Sequence, residues 1–110
     1  MVQVVSQART REFSKAVFGN SYRLEVVRAI ASSEDGVVFA RQLALELGVA
    51  DSIVHPILRQ LADVGLLEPL PRVKGHQMRE YARTDSVLWV FCAKLLDEAV
   101  KAGPQVRSDI

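Results

Sequence analysis

The sequence predicts a mainly α fold, about five helices plus a two-stranded β-hairpin, in a single domain. Three observations predict it. Apolar residues recur at three- and four-residue spacing in five stretches, most of them closed by Gly, Asn or Pro. One stretch, residues 66–84, carries two extended arms around a glycine-containing tip. The chain is 110 residues long with 49% hydrophobic and 25% charged residues, a balance that buries one core and excludes a disordered tail.

The first helix is expected over residues 6–18, with Ala8, Phe13, Ala16 and Val17 near one face and Gly19-Asn20 as its break. Residues 1–5 and 103–110 are expected as flexible termini around a domain of residues 6–102. Asn20 or Ser21 caps the next helix, where Leu24, Val27, Ile30 and Ala31 follow the helical period. Asp35-Gly36 then makes a turn, and Val37-Val38-Phe39 is a short extended run. A third helix covers Ala40–Leu47 and stops at Gly48. The fourth begins near Asp51-Ser52, with Asp51 read as its cap, and runs to Asp63 or Val64, where Gly65 supplies a left-handed end. Pro69 and Pro71 in the first hairpin arm suit an edge strand. Thr84 or Asp85 caps a last helix reaching about Ala102, apolar on more than one face.

Residues 40–67 carry the functional signal. Leu43, Ala44 and Leu47 form the inner face of one short helix, Gly48 permits a tight turn, and Val49 plugs the angle. Ile53 or Val54, with Ile57, Leu58 and Leu61, anchors the second helix against the first. Its outward positions, Asp51, Ser52, His55, Pro56 and Arg59, are then free to enter a DNA major groove, which is wide enough for one helix. Proline is easily tolerated only in a helix's first turn, so Pro56 predicts a helix that begins late or bends.

The run Gln-Leu-Ala, Leu-Gly-Val, Ser-Ile-Val, Leu-Arg-Gln-Leu, Gly-Leu-Leu within residues 42–67 resembles the helix-turn-helix of ArsR/MarR-type winged-helix regulators. Upstream, Phe18 to Val27 looks like the Asp-Pro-x-Arg-Leu-x-Ile-Leu opening of ArsR proteins. The resemblance covers about residues 13–100 and implies a winged helix in which the hairpin is the wing and the first and last helices pair two subunits. It implies a transcriptional regulator, with repression the better guess, that binds double-stranded DNA as a homodimer on a palindromic operator. The rival reading is a winged helix that binds a partner protein without reading DNA.

The residues expected at DNA are Gln42, Ser52, His55 and Arg59, with Arg72, Lys74, His76 and Arg79 from the wing. The formal net charge is only +1, but residues 66–84 hold Arg72, Lys74, Arg79 and Arg83 against Glu68 and Glu80. Arg9, Arg11, Lys15, Arg23 and Arg28 add basic charge near the start. The residues expected between subunits are Phe13, Val17, Leu88, Trp89, Phe91, Cys92, Leu95 and Leu96. Trp89, Phe91, Leu95 and Leu96 also suit the wall of a pocket for a small-molecule effector, although dimer core is the favoured reading.

Other functions find no support. The single Cys92, and two histidines separated by a helix and a strand, supply no metal-ligand set. Cys92 lies among apolar residues, where a thiol is inert rather than redox-active. No nucleophile–base grouping, phosphate loop or carboxylate pair points to catalysis, and no cofactor is expected. The chain has no apolar run long enough to span a bilayer and no signal-peptide pattern at its start, so a cytoplasmic location is expected.

Overall fold

The computed structural model describes residues 2–72 and 78–101, with side chains described from 7 to 72 and from 78 to 98. Five helices and three strands follow in the order α1 (Val2–Phe18), α2 (Arg23–Ser32), β1 (Val37–Phe39), α3 (Ala40–Leu47), α4 (Asp51–Asp63), β2 (Leu67–Pro69), β3 (Glu80–Arg83) and α5 (Val87–Lys101). The sheet is antiparallel with β3 in the centre and β1 and β2 at its edges. The expected two-stranded hairpin is thus a three-stranded sheet, because Val38 pairs with Tyr81 on the open side of β3 while Glu68 pairs with Ala82 on the other. Pro69 sits on an edge strand, where its missing N–H removes no ladder bond from the centre.

The core is built from α2, α3 and α4 with contributions from the sheet and α5. Leu24, Val26 and Ile30 of α2, Leu43 of α3, Val54, Ile57 and Leu58 of α4, Val38, Leu67 and Cys92 are all essentially inaccessible to solvent. Val54, rather than Ile53, is the inward residue at the start of α4. Ala44 of α3 is also buried, and α3 packs against α4.

Several boundaries differ from expectation, each for a local reason. α1 begins at Val2, four residues earlier than the expected start. Of its expected face, Phe13 packs against the core, but Ala8, Ala16 and Val17 are exposed; Thr10 and Ser14 are the buried residues. Neither Asn20 nor Ser21 is the N-cap of α2, a position taken by Tyr22. Asn20 Oδ1 instead accepts the Tyr22 N–H at 2.8 Å, and Ser14 Oγ, reaching over from α1, accepts the Leu24 N–H at 3.0 Å. The last helix is capped by neither Thr84 nor Asp85: Ser86 Oγ accepts the Leu88 N–H, and the Thr84 hydroxyl faces the Gly65 and Leu66 carbonyls.

Arg83 ties the central strand to α2. Its Nη1 lies 2.7 Å from the Ile30 carbonyl and 3.1 Å from those of Ala31 and Ser33, so one guanidinium gathers the carbonyls at the end of α2.

Candidate nucleic-acid interface

The reading unit is made by α3, the turn after it and α4. Gly48 ends α3 at φ 70°, a left-handed conformation that a Cβ disfavours, and both its N–H and that of Val49 return to the Ala44 carbonyl. Ala50 follows in extended backbone and is the N-cap of α4, without a side-chain cap bond. Asp51 is therefore the first helical residue rather than the cap, and its carboxylate acts on the positive end of the helix dipole.

α4 runs unbroken from Asp51 to Asp63 through Pro56, so the helix does not begin late. The proline ring deprives the Ser52 carbonyl of its helical N–H donor. Ser52 and Pro56 are both on the exposed side, where water can serve that carbonyl. The helix buries Val54, Ile57, Leu58 and Leu61 and presents Ser52, His55 and Arg59 to solvent.

Between α4 and the wing lies a cleft of about 370 Å³ that gathers most of the charged candidates. His55 and Arg59 line it from α4, Arg41 from α3, and Arg72 and Arg79 from the wing; Met78 and Tyr81 form its apolar part. Among the described residues that line it, four are arginines and one, Asp51, is acidic. Such a cleft attracts polyanions and concentrates their approach. Arg79 has a second task, since its Nη1 donates to the Leu70 carbonyl at 2.8 Å and so bridges the two arms of the wing.

The structure sorts the sequence candidates unevenly. His55, Arg59, Arg72 and Arg79 converge on this cleft. Ser52 is exposed on α4 but does not line it. Gln42 lies elsewhere, in a cleft between the end of α2 and α3 that it shares with Arg28 and Glu46. Its neighbour Arg41 takes the place expected for it, because the pairing of Phe39 with Glu80 sets the start of α3 beside the wing. Lys74 and His76 lie outside the described residues. Arg83 is engaged with the end of α2, Arg11 with Glu25 and Arg9 with Glu12, so these basic groups already have protein partners.

The residues expected between subunits also divide. Trp89 and Cys92 are buried within the single chain, the Trp89 indole donating to the Thr84 carbonyl at 2.7 Å. Burial pushes the Cys92 thiol above its ordinary pKa, which keeps it protonated and a poor nucleophile. Phe13, Leu88, Leu95 and Leu96 are partly buried against the same core. Phe91 and Val17 remain more than half exposed, and they are joined by Val87 and Val90, which sequence reasoning passed over.

Among the described residues no three His, Cys, Asp or Glu side chains come together as a metal site, and no helix is long and apolar enough to cross a membrane.

No protein-family model matches the chain, and neither does any curated protein. Solved structures do. A MarR family transcriptional regulator from Streptomyces coelicolor, solved in complex with DNA, superposes with a TM-score of 0.66 at 12% identity, over 98% of this chain and 73% of that one. Wild-type MarR from E. coli gives 0.65 at 16% identity, over 92% and 74% of the two chains. NadR in complex with 4-hydroxyphenylacetate gives 0.62 at 18%, over 94% and 74%. The fold is the MarR-type winged helix. The ArsR half of the resemblance gains no support from these neighbours.

Proposed function

We propose that the chain is a sequence-specific DNA-binding transcriptional regulator that acts as a homodimer on a palindromic operator, most simply as a repressor. The observation that carries this reading is the convergence of Arg41, Arg59, Arg72 and Arg79 with His55 on one cleft beside an exposed helix face. In this reading α4 enters the major groove, with Ser52, His55 and Arg59 toward base edges. Arg41, Arg72 and Arg79 hold phosphates, joined by Lys74 and His76 of the wing. The apolar residues Val17, Val87, Val90 and Phe91 on α1 and α5 supply a surface for the second copy, and two-fold pairing would present two reading helices to a palindrome.

An effector site fits the same scheme. A cleft of about 480 Å³ between α2 and α5 is lined by Trp89 and Leu96 together with Arg28 and Asp97. That lining suits a small amphipathic molecule. Phe91 and Leu95, expected in such a wall, do not line it.

One observation favours the protein-binding alternative. Leu45 is 74% exposed on α3, an apolar group set on the reading unit where phosphate gives it nothing to bury. Selection of bound duplexes from a random DNA pool, at low and at physiological salt, separates the two readings. Enrichment of a palindrome at both salts is the expected result. Binding without enrichment that disappears as salt rises would leave only a charge attraction and favour the protein partner.

A further inference from the structure

Beside the core contact of Phe13, α1 meets α2 and the end of α3 through a set of polar contacts centred on Glu25. Glu25 of α2 is only 7% exposed, and both of its carboxylate oxygens are occupied. Oε1 accepts from Arg11 Nε at 2.5 Å, and the Arg11 guanidinium also lies 4.9 Å from the centre of the Tyr22 ring. Oε2 accepts from Gln7 Nε2 at 2.9 Å. The same Gln7 nitrogen approaches the Leu47 carbonyl at 3.2 Å. A side-chain amide nitrogen carries two hydrogens and both of these neighbours are acceptors, so chemistry alone fixes which way the amide points.

Leu47 is the last residue of α3, and its carbonyl is one of those that a helix end leaves without an intrahelical partner. It directly precedes the left-handed Gly48 from which the chain turns into α4. One amide therefore bridges a buried anion on α2 and the hinge of the helix-turn-helix, 40 residues away in sequence. We propose that Gln7, held in place by Glu25 and Arg11, is a positioning residue that fixes the angle of α4 relative to α1. This rests on the DNA-binding reading, under which α1 belongs to the subunit contact and α4 reads the operator. The Gln7 bridge then sets where the two reading helices stand with respect to each other.

Two variants test this in the full-length protein. Gln7→Leu keeps the bulk and removes both donors, while Gln7→Lys restores donors that can reach Glu25 and the Leu47 carbonyl. In the protein free of DNA, Gln7→Leu should speed amide exchange several-fold at Val49 and Ile53, on either side of the turn, and leave the α2 amides unchanged. Its preference for the selected duplex over a random one should fall about three- to ten-fold, the ordinary net worth of one hydrogen bond. Gln7→Lys should return both quantities toward wild type. Unchanged exchange at the turn overturns the proposal. So does faster exchange with an unchanged duplex preference, or a loss of protection spread evenly over the chain, which would mark a merely structural role. A wild-type protein that prefers no duplex refutes the DNA reading instead, and the exchange measurement then decides by itself whether Gln7 holds the turn.

Discussion

α4 and α1 are both long helices, yet their inward faces differ in chemistry. α4 buries Val54, Ile57, Leu58 and Leu61, an apolar stripe at the helical period. α1 turns Gln7, Thr10, Arg11 and Ser14 inward at the same three- and four-residue spacing, while Ala8, Ala16 and Val17 face solvent. An apolar stripe gains from burial wherever it finds a partner, and tolerates small shifts. A polar stripe gains only where each donor meets its acceptor, so it fixes one register at modest net stability. α4 is thus secured by bulk contact behind an outer face left free to read, and α1 by hydrogen bonds that set the register in which Phe13 packs on the core.

Truncation should separate the two helices most sharply. Ile57→Ala, in the centre of the α4 stripe, should cost about 2–5 kcal/mol, because the cavity adds to the lost transfer energy. Urea unfolding measures it, and a cost below 1 kcal/mol would mean that α4 is less firmly packed than its burial implies. Ser14→Ala removes a single oxygen from α1. It strands the buried Leu24 N–H and takes away the hydroxyl that donates to the Asn20 carbonyl at 2.5 Å, so it should cost about 1–3 kcal/mol. A neutral result would make the seam of α1 incidental.

That contrast also marks what could be read from the sequence. α3, the Gly48 turn and α4 were legible almost to the residue because period, glycine and apolar stripe agree locally. The buried face of α1 was not, since a reading that takes apolar residues as inward must choose Ala16 and Val17 over Thr10 and Ser14. The caps failed for a related reason. Leu24 receives its acceptor from Ser14, ten residues upstream on another helix, and no local pattern announces that. In the candidate site, Arg59 and Arg79 could be found from the order of elements. Arg41 could not be preferred to Gln42 without knowing that β1 joins the sheet and sets α3 beside the wing.

The outer face of α4 offers the next comparison, between two arginines of one cleft. Arg59→Ala should weaken binding to the selected duplex by about 1–3 kcal/mol and relax the preference at one base position, as loss of a bidentate base contact does. Arg41→Ala should weaken all duplexes alike and lower the slope of log affinity against log salt by about one. Equal losses that ignore sequence at both positions would assign both guanidinium groups to phosphate.

The smallest effect belongs to Asp35, in the turn between α2 and β1, where local signals and structure coincide. The Val37 N–H, at 3.0 Å, and the Ser33 hydroxyl, at 3.2 Å, donate to Asp35 Oδ1 and hold its pKa below the ordinary 3.8. Both bonds favour the carboxylate, so their stabilisation is fully present above the ordinary pKa and is lost as pH falls through the lower folded value. The group is fully exposed, and solvent screening keeps the effect small. Asp35→Asn should therefore leave a small stability difference from wild type that is constant above about pH 5 and shrinks in more acidic solution. A difference that grows on acidification would mean that the turn is held by something other than the charge on Asp35. In that case a third kind of tie, neither the apolar stripe of α4 nor the buried network of α1, would have to carry the chain into β1.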